Sequence, residues 1–180
     1  SQFMENWCWE PEGLALISGH YESGEALPQA MLDKMLAAKN FQSGLMMVRQ
    51  LEFSLFDFEL HATHGDGRSV LDVLEGVRAE VSVLRPPAYN RFANGFAHIF
   101  AGGYAAGYYS YKWAEVLSAD AFSKFEEEGV FNADTGRAFR EAILARGGSQ
   151  EPMVLFVDFR GREPSIDALL RHLGLSQEAA

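Results

Sequence analysis

The sequence predicts an all-α fold, and three observations carry that reading. Apolar residues recur at helical spacing through most of the chain. No stretch keeps the strict alternation between turn signals that marks a strand. No block repeats at a fixed period. The pattern resolves into about eight helices with one long glycine-rich loop among them.

Phe3, Met4, Trp7, Cys8, Leu14, Ala15 and Ile17 hold helical spacing. Pro11 interrupts them, so one helix ends near Glu10 and another turn follows. Leu27-Pro28 opens a helix with Met31, Leu32, Met35 and Leu36 inward, closed by Asn40. Phe41 to His61 reads as the longest helix, and its broad apolar coverage predicts burial on most sides. A turn at His64-Gly65-Asp66-Gly67 leads to Ser69, which caps a helix with Val70, Leu71, Val73, Leu74 and Val77 on its inner face. Arg85-Pro86-Pro87 stops that helix. An irregular segment follows, Val83 to Gly107 at its widest, and long loops inside compact domains often carry function. Tyr108 to Glu128 is a strong helix ended by Gly129. Asp134 caps a helix through Ala145, terminated by Gly147-Gly148. Met153 to Phe159 and Pro164 to Leu173 complete the series.

The chain has 180 residues, enough for one domain or a large piece of one, and 48% of them are hydrophobic, as in packed globular proteins. A net charge of −10 argues against nucleic acid, which needs clustered Lys and Arg. Cys8 is the one cysteine, so no intrachain disulfide or cysteine metal cluster can form. That fits a reducing, cytoplasmic compartment. No apolar run approaches the ~18 residues of a membrane-spanning helix, and no secretory signal opens the chain. It begins at Ser1 without an initiator methionine and within an amphipathic pattern, which is the expectation for a piece of a longer protein.

The helical zinc motif H-E-x-x-H is absent from the sequence. His61 and His64 share a helix face, but no glutamate lies between them, and a solvated helix end is the favoured reading. His20 and His172 are isolated. Cys8, between Trp7 and Trp9, reads as a buried, inert thiol. Glu5 sits among aromatics in MENWCWEPE, where a second-shell acid and an ordinary surface residue weigh evenly. The densest stretch is HIFAGGYAAGYYSY, His98 to Tyr111, with one histidine, three glycines and four tyrosines. If a helix starts near Tyr104, then Tyr104, Tyr108 and Tyr111 stand on one face. Phenylalanine would pack as well and the chain uses 14 of them, so tyrosine favours hydroxyl work over packing, without deciding it.

MENWCWEPE, RQLEFSLFDFELH, HIFAGGYAAGYYSYKWAEVLSADAFSKFEEEG and RGGSQEPMVLF with FRGREP resemble oligopeptidase A-like zinc metallopeptidases of the thimet oligopeptidase and neurolysin family. The resemblance covers essentially the whole chain and implies the C-terminal portion of a zincin-type catalytic domain, in which helical halves flank a channel with Zn2+ on its floor. It further implies that the metal ligands lie upstream of Ser1 and that this chain binds no metal alone. His98 would lie on the family's flexible loop, with Gly102 and Gly103 as its hinges. Tyr104, Tyr108 and Tyr111 would stabilise the tetrahedral intermediate, and Glu5 would take the second-shell role. The expected partners are an oligopeptide substrate and the rest of the parent polypeptide, with no nucleic acid and no membrane. A non-enzymatic helical module that binds a peptide or partner is the alternative. Removed from the rest of such a protein, apolar surface around Phe3, Trp7 and the Phe92 to Phe100 loop is expected to be exposed.

Overall fold

The computed structural model describes residues 1–176. Eleven α-helices and no strand occur among the described residues: α1 Gln2–Glu5, α2 Pro11–Ile17, α3 Gln29–Lys39, α4 Ser43–Ala62, α5 Val70–Val81, α6 Phe92–Gly95, α7 Ala97–Phe100, α8 Ser110–Glu128, α9 Ala133–Phe139, α10 Pro152–Arg160 and α11 Asp167–His172. The all-α expectation holds. The helices outnumber the expected set because the irregular segment folds into α6 and α7, and because the first stretch divides. Its break falls at Glu10, whose extended backbone ends the 3-10 turn Asn6–Trp9 before Pro11 starts α2.

The chain forms two compact units, one built from Gln42–Trp113 and the other from Ser1–Phe41 with the chain from Ala114 onward. The second of these is organised by aromatic rings. Phe122, Phe125, Phe156 and Phe159 are buried, with Phe3, Trp7, Leu117 and Phe139 packed against them. Phe3 stacks on Phe139 at 4.3 Å, and Trp7 meets Phe122 edge-on at 4.7 Å. The Trp7 indole N–H donates to the Val130 carbonyl at 2.8 Å, so its one polar group is satisfied. Phe3 and Trp7 therefore pack inward instead of forming exposed apolar surface. Cys8 corrects the sequence in the opposite direction. The 3-10 turn that carries Trp7 inward leaves the neighbouring thiol exposed.

In the same unit Asp120 of α8 is completely buried. Its carboxylate accepts from Arg162 Nη1 at 2.7 Å, from Arg160 Nε at 3.2 Å and from the Ser165 backbone N–H at 2.6 Å. Burial works against its charge, but these donors together hold its pKa below the usual carboxylate range. One buried acid thus ties α8 to α10 and to the approach of α11.

α9 begins two residues earlier than the sequence suggests. Asn132, not Asp134, is its cap, with Oδ1 accepting the N–H groups of Asp134 and Thr135 at 2.9 and 3.2 Å. The helix continues as a π segment, Arg140–Leu144, before the Gly147–Ser149 turn.

The other unit is built on α4 and α5. Its core is Phe56, Val73, Leu74, Ala93, Phe96, Ile99 and Tyr108. Ser69 caps α5 as expected, in a reciprocal pair with Asp72. Val73, Leu74 and Val77 face inward, but Val70 and Leu71 are exposed. α5 also stops at Val81, ahead of the proline pair, because Ser82 turns extended and donates to Leu84 O at 2.8 Å. α4 departs furthest from its periodicity. Its buried residues include Glu52 and Asp57, while Leu51, Leu55 and Phe58 are exposed. The two carboxylates turn inward because donors wait there. Glu52 accepts from the buried Arg78 at 3.0 Å, and Asp57 accepts from the backbone beyond Tyr104. Phe92 stacks on Phe53 at 4.5 Å, and Ala93, Phe96 and Ile99 are buried, so this side of the Phe92–Phe100 stretch packs into the core, while Asn94, Gly95, Ala97, His98 and Phe100 are exposed.

Candidate active site

The glycine-bearing loop places four of the sequence-selected side chains together. Around the His98 ring, centroids of Tyr104, Tyr108 and Tyr111 stand at 6.2, 5.8 and 6.3 Å. Tyr111 lies 4.9 Å from Tyr104 and 5.2 Å from Tyr108. The convergence does not arise from one helix face. α8 starts at Ser110, and residues 105–109 are turns. Gly107 N–H donates to Tyr104 O at 2.8 Å, and Tyr111 N–H to Tyr108 O at 3.2 Å. The tyrosines meet because the chain folds back on itself, not because they are spaced along a cylinder.

The three hydroxyls have different surroundings. Tyr108 is buried in the core, and its hydroxyl donates to Gln50 Oε1 at 3.1 Å. Burial raises its pKa above the ordinary tyrosine value. Tyr111 shares a hydrogen bond with the Tyr104 hydroxyl; that bond first, then burial and the neighbouring tyrosines, push its pKa up to about 12. It remains a neutral donor across the physiological range. His98 is exposed on the rim.

Gly102 and Gly103 serve the turn that returns from α7. A Cβ on Gly102 would stand 2.8 Å from His98 Cα and 2.9 Å from His98 O, both backbone atoms. Gly103 has φ +80°, a left-handed conformation that glycine adopts without strain. Tyr104 N–H then donates to His98 O at 3.1 Å, closing the turn. Gly102→Ala is expected to lower stability by about 1–3 kcal/mol, because the backbone on which the methyl lands must move. Chemical denaturation of the two forms measures it.

Sequence reasoning missed two residues that hold this arrangement, Gln50 and Asp57. Asp57 is completely buried, accepting the Ala106 and Tyr108 N–H groups at 2.9 Å each, with His61 Nδ1 3.0 Å from one carboxylate oxygen. The available signal was an acid set between Phe56 and Phe58 in an apolar helix. Glu5 is not part of this cluster. It is exposed in the other unit, where it lines a small cleft of about 190 Å³ with Asn6, Trp9, Lys39 and His172.

Among the described residues no group of three or more His, Cys, Asp or Glu is placed to hold a metal ion. His61 is engaged by Asp57, and His64 lies beyond the end of α4. Among the described residues, the donors do not make up a zinc ligand set. What they do provide is a set of neutral hydroxyl donors and one imidazole on a rim, chemistry suited to an oxygen that gains negative charge.

The chain belongs to Peptidase family M3, whose profile matches residues 1–175. It is 63% identical over 177 residues to oligopeptidase A of Escherichia coli, covering 97% of this chain and 26% of that protein. Oligopeptidase A of Salmonella typhimurium is 62% identical over the same length and shares. Saccharolysin of Saccharomyces cerevisiae is 35% identical over 178 residues, 97% of this chain and 25% of its own. The chain spans about a quarter of the length of these curated relatives.

Proposed function

We propose that this chain supplies the substrate-facing side of the active site of a zinc-dependent oligopeptidase that hydrolyses short peptides. The observation that carries the reading is the convergence of Tyr104, Tyr108 and Tyr111 around His98 on a glycine-hinged loop. Membership of the family and the names of the relatives supply the reaction class. In this reading the metal is held by residues outside the chain, where it would activate water and polarise the scissile carbonyl.

The chain's own residues act on the substrate. Hydrolysis converts a planar carbonyl to a tetrahedral oxyanion, and donors fixed toward that oxygen favour the transition state over the ground state. Tyr111 is the principal donor, exchanging its bond with Tyr104 for one to the oxyanion. Tyr104 supports it, and Tyr108, tied to Gln50, orients the pair. His98 contacts the peptide from the rim. Gly102 and Gly103 let the loop follow the substrate and exclude water. Glu5 would act as a supporting carboxylate. We place the protein in the cytoplasm, consistent with its single cysteine and with the relative named probable cytosolic oligopeptidase A in Arabidopsis thaliana. No helix among the described residues is long and apolar enough to cross a membrane.

A quenched-fluorescent peptide tests the division of labour. The complete polypeptide is expected to cleave it and to lose activity to a chelator. The 180-residue chain alone, with zinc added, is expected to show no turnover. Chelator-sensitive cleavage by the chain alone would overturn the assignment, and a complete polypeptide that binds peptide without cleaving it would favour a binding module.

A further inference from the structure

We infer that Asp57 is a positioning residue for the tyrosine cluster: its buried carboxylate fixes the turn at Ala106 and so sets where Tyr108 and Tyr111 stand. This rests on the tyrosines acting as proposed above. Asp57 has no exposure, yet it lies on a helix whose neighbouring positions are apolar. A charge in such a place is costly unless it is fully engaged. Its two oxygens divide the work: one accepts the Ala106 N–H and the other the Tyr108 N–H, each at 2.9 Å. The arrangement is an anion-binding backbone nest whose anion belongs to the protein.

The nest depends on an unusual backbone. Ala106 has φ +53°, a left-handed conformation that alanine disfavours. Its side chain is exposed, so packing does not hold it there. Releasing the carboxylate removes the observed bonds that offset this strain. Tyr108 would shift first, and Tyr111 with it, since Tyr111 N–H is bonded to Tyr108 O at 3.2 Å. The carboxylate's other contact is His61 Nδ1 at 3.0 Å.

The test uses the complete polypeptide and the same peptide assay. Asp57→Asn offers one carbonyl oxygen to two N–H donors and turns its own amide donor toward the second. Ala106→Val leaves the carboxylate intact but disfavours the left-handed turn through its branched side chain. Because position 106 is exposed, this variant keeps the test decisive if Asp57→Asn does not fold. Both are expected to lower kcat by about ten- to a hundred-fold, with KM within about two-fold. In 3-fluorotyrosine-labelled protein, the Tyr111 resonance, assigned by its loss in Tyr111→Phe, is expected to shift in both. Ser69→Ala, a cap deletion on α5 that lowers thermal stability, is the control and is expected to leave kcat and the resonance unchanged.

Unchanged kcat in Ala106→Val, or losses in both variants no larger than in Ser69→Ala, overturns the inference. If those variants fail in this way while Tyr111→Phe loses turnover, only the positioning role falls. If Tyr111→Phe itself keeps full turnover, the reading of the tyrosines falls instead.

Discussion

Replacing Tyr111 by Phe in the complete polypeptide is expected to lower kcat by about 10²–10³-fold while KM changes little. The ring and its packing against Tyr104 and Tyr108 survive this change; the donor does not. A donor used only as charge develops lowers kcat and kcat/KM together, whereas one used equally by bound substrate raises KM. Steady-state kinetics on a single peptide separates the two, and a pure KM effect would assign Tyr111 to binding. Tyr108→Phe should be milder in kcat, because that hydroxyl is already committed to Gln50. Its loss strands the Gln50 carbonyl and is expected to be felt mainly in stability. The raised pKa of Tyr111, about 12, keeps its proton in place, so activity on the alkaline side should not fall through the ordinary tyrosine range on its account.

Asp120→Ala is expected to cost about 3 kcal/mol, because it removes the acceptor shared by Arg160, Arg162 and the Ser165 N–H. The sign of the pH effect follows from the depressed pKa. Unfolded, Asp120 regains an ordinary carboxylate pKa; folded, it stays ionised to lower pH. Its stabilisation is therefore complete above the unfolded pKa and is lost as pH falls through the folded one. Glu126 behaves alike: burial opposes its charge, but the His172 and Arg171 contacts outweigh that and lower its pKa. Denaturant titrations between neutral and strongly acid pH should show the wild-type advantage over Asp120→Ala shrinking only at the acid end. An advantage that is independent of pH would mean the acid is held by packing alone.

The helices of this chain were legible wherever the signal is local. The Ser69–Asp72 capping box lies within one turn, and the sequence predicted its cap position correctly. The Pro11 break and the Asn40 stop are of the same kind. Three errors show where local reading ends. α8 begins at Ser110, two residues after the expected Tyr108, and the left-handed turn at Ala106 keeps helix from reaching back to Tyr104, although alanine announces helix. The cap is Asn132 where Asp134 was expected; both residue types cap helices, and only geometry separates them. α4 was expected to be buried on most sides because its apolar count hid two inward carboxylates.

The candidate site divides in the same way. Its chemistry-bearing residues were visible as a dense run from His98 to Tyr111. What supports them was not, since Asp57 meets Ala106 and Tyr108 across 49 and 51 positions in sequence. Such pairs leave no periodic trace, and an acid among phenylalanines has no partner until the chain is folded.

The long loop is tied at both ends to one helix. At its start Arg78, held by Glu52 of α4, donates to Asn90 Oδ1 at 3.3 Å; at its finish Asp57 of the same helix holds Ala106. A strap knotted at both ends explores far fewer arrangements than one with a free end, and the entropy of joining those ends is lost once, at folding. In the role proposed above, less would remain to be lost each time a peptide arrives. The loop could then be supple at its glycines and still bring its tyrosines back to the same place at every turnover.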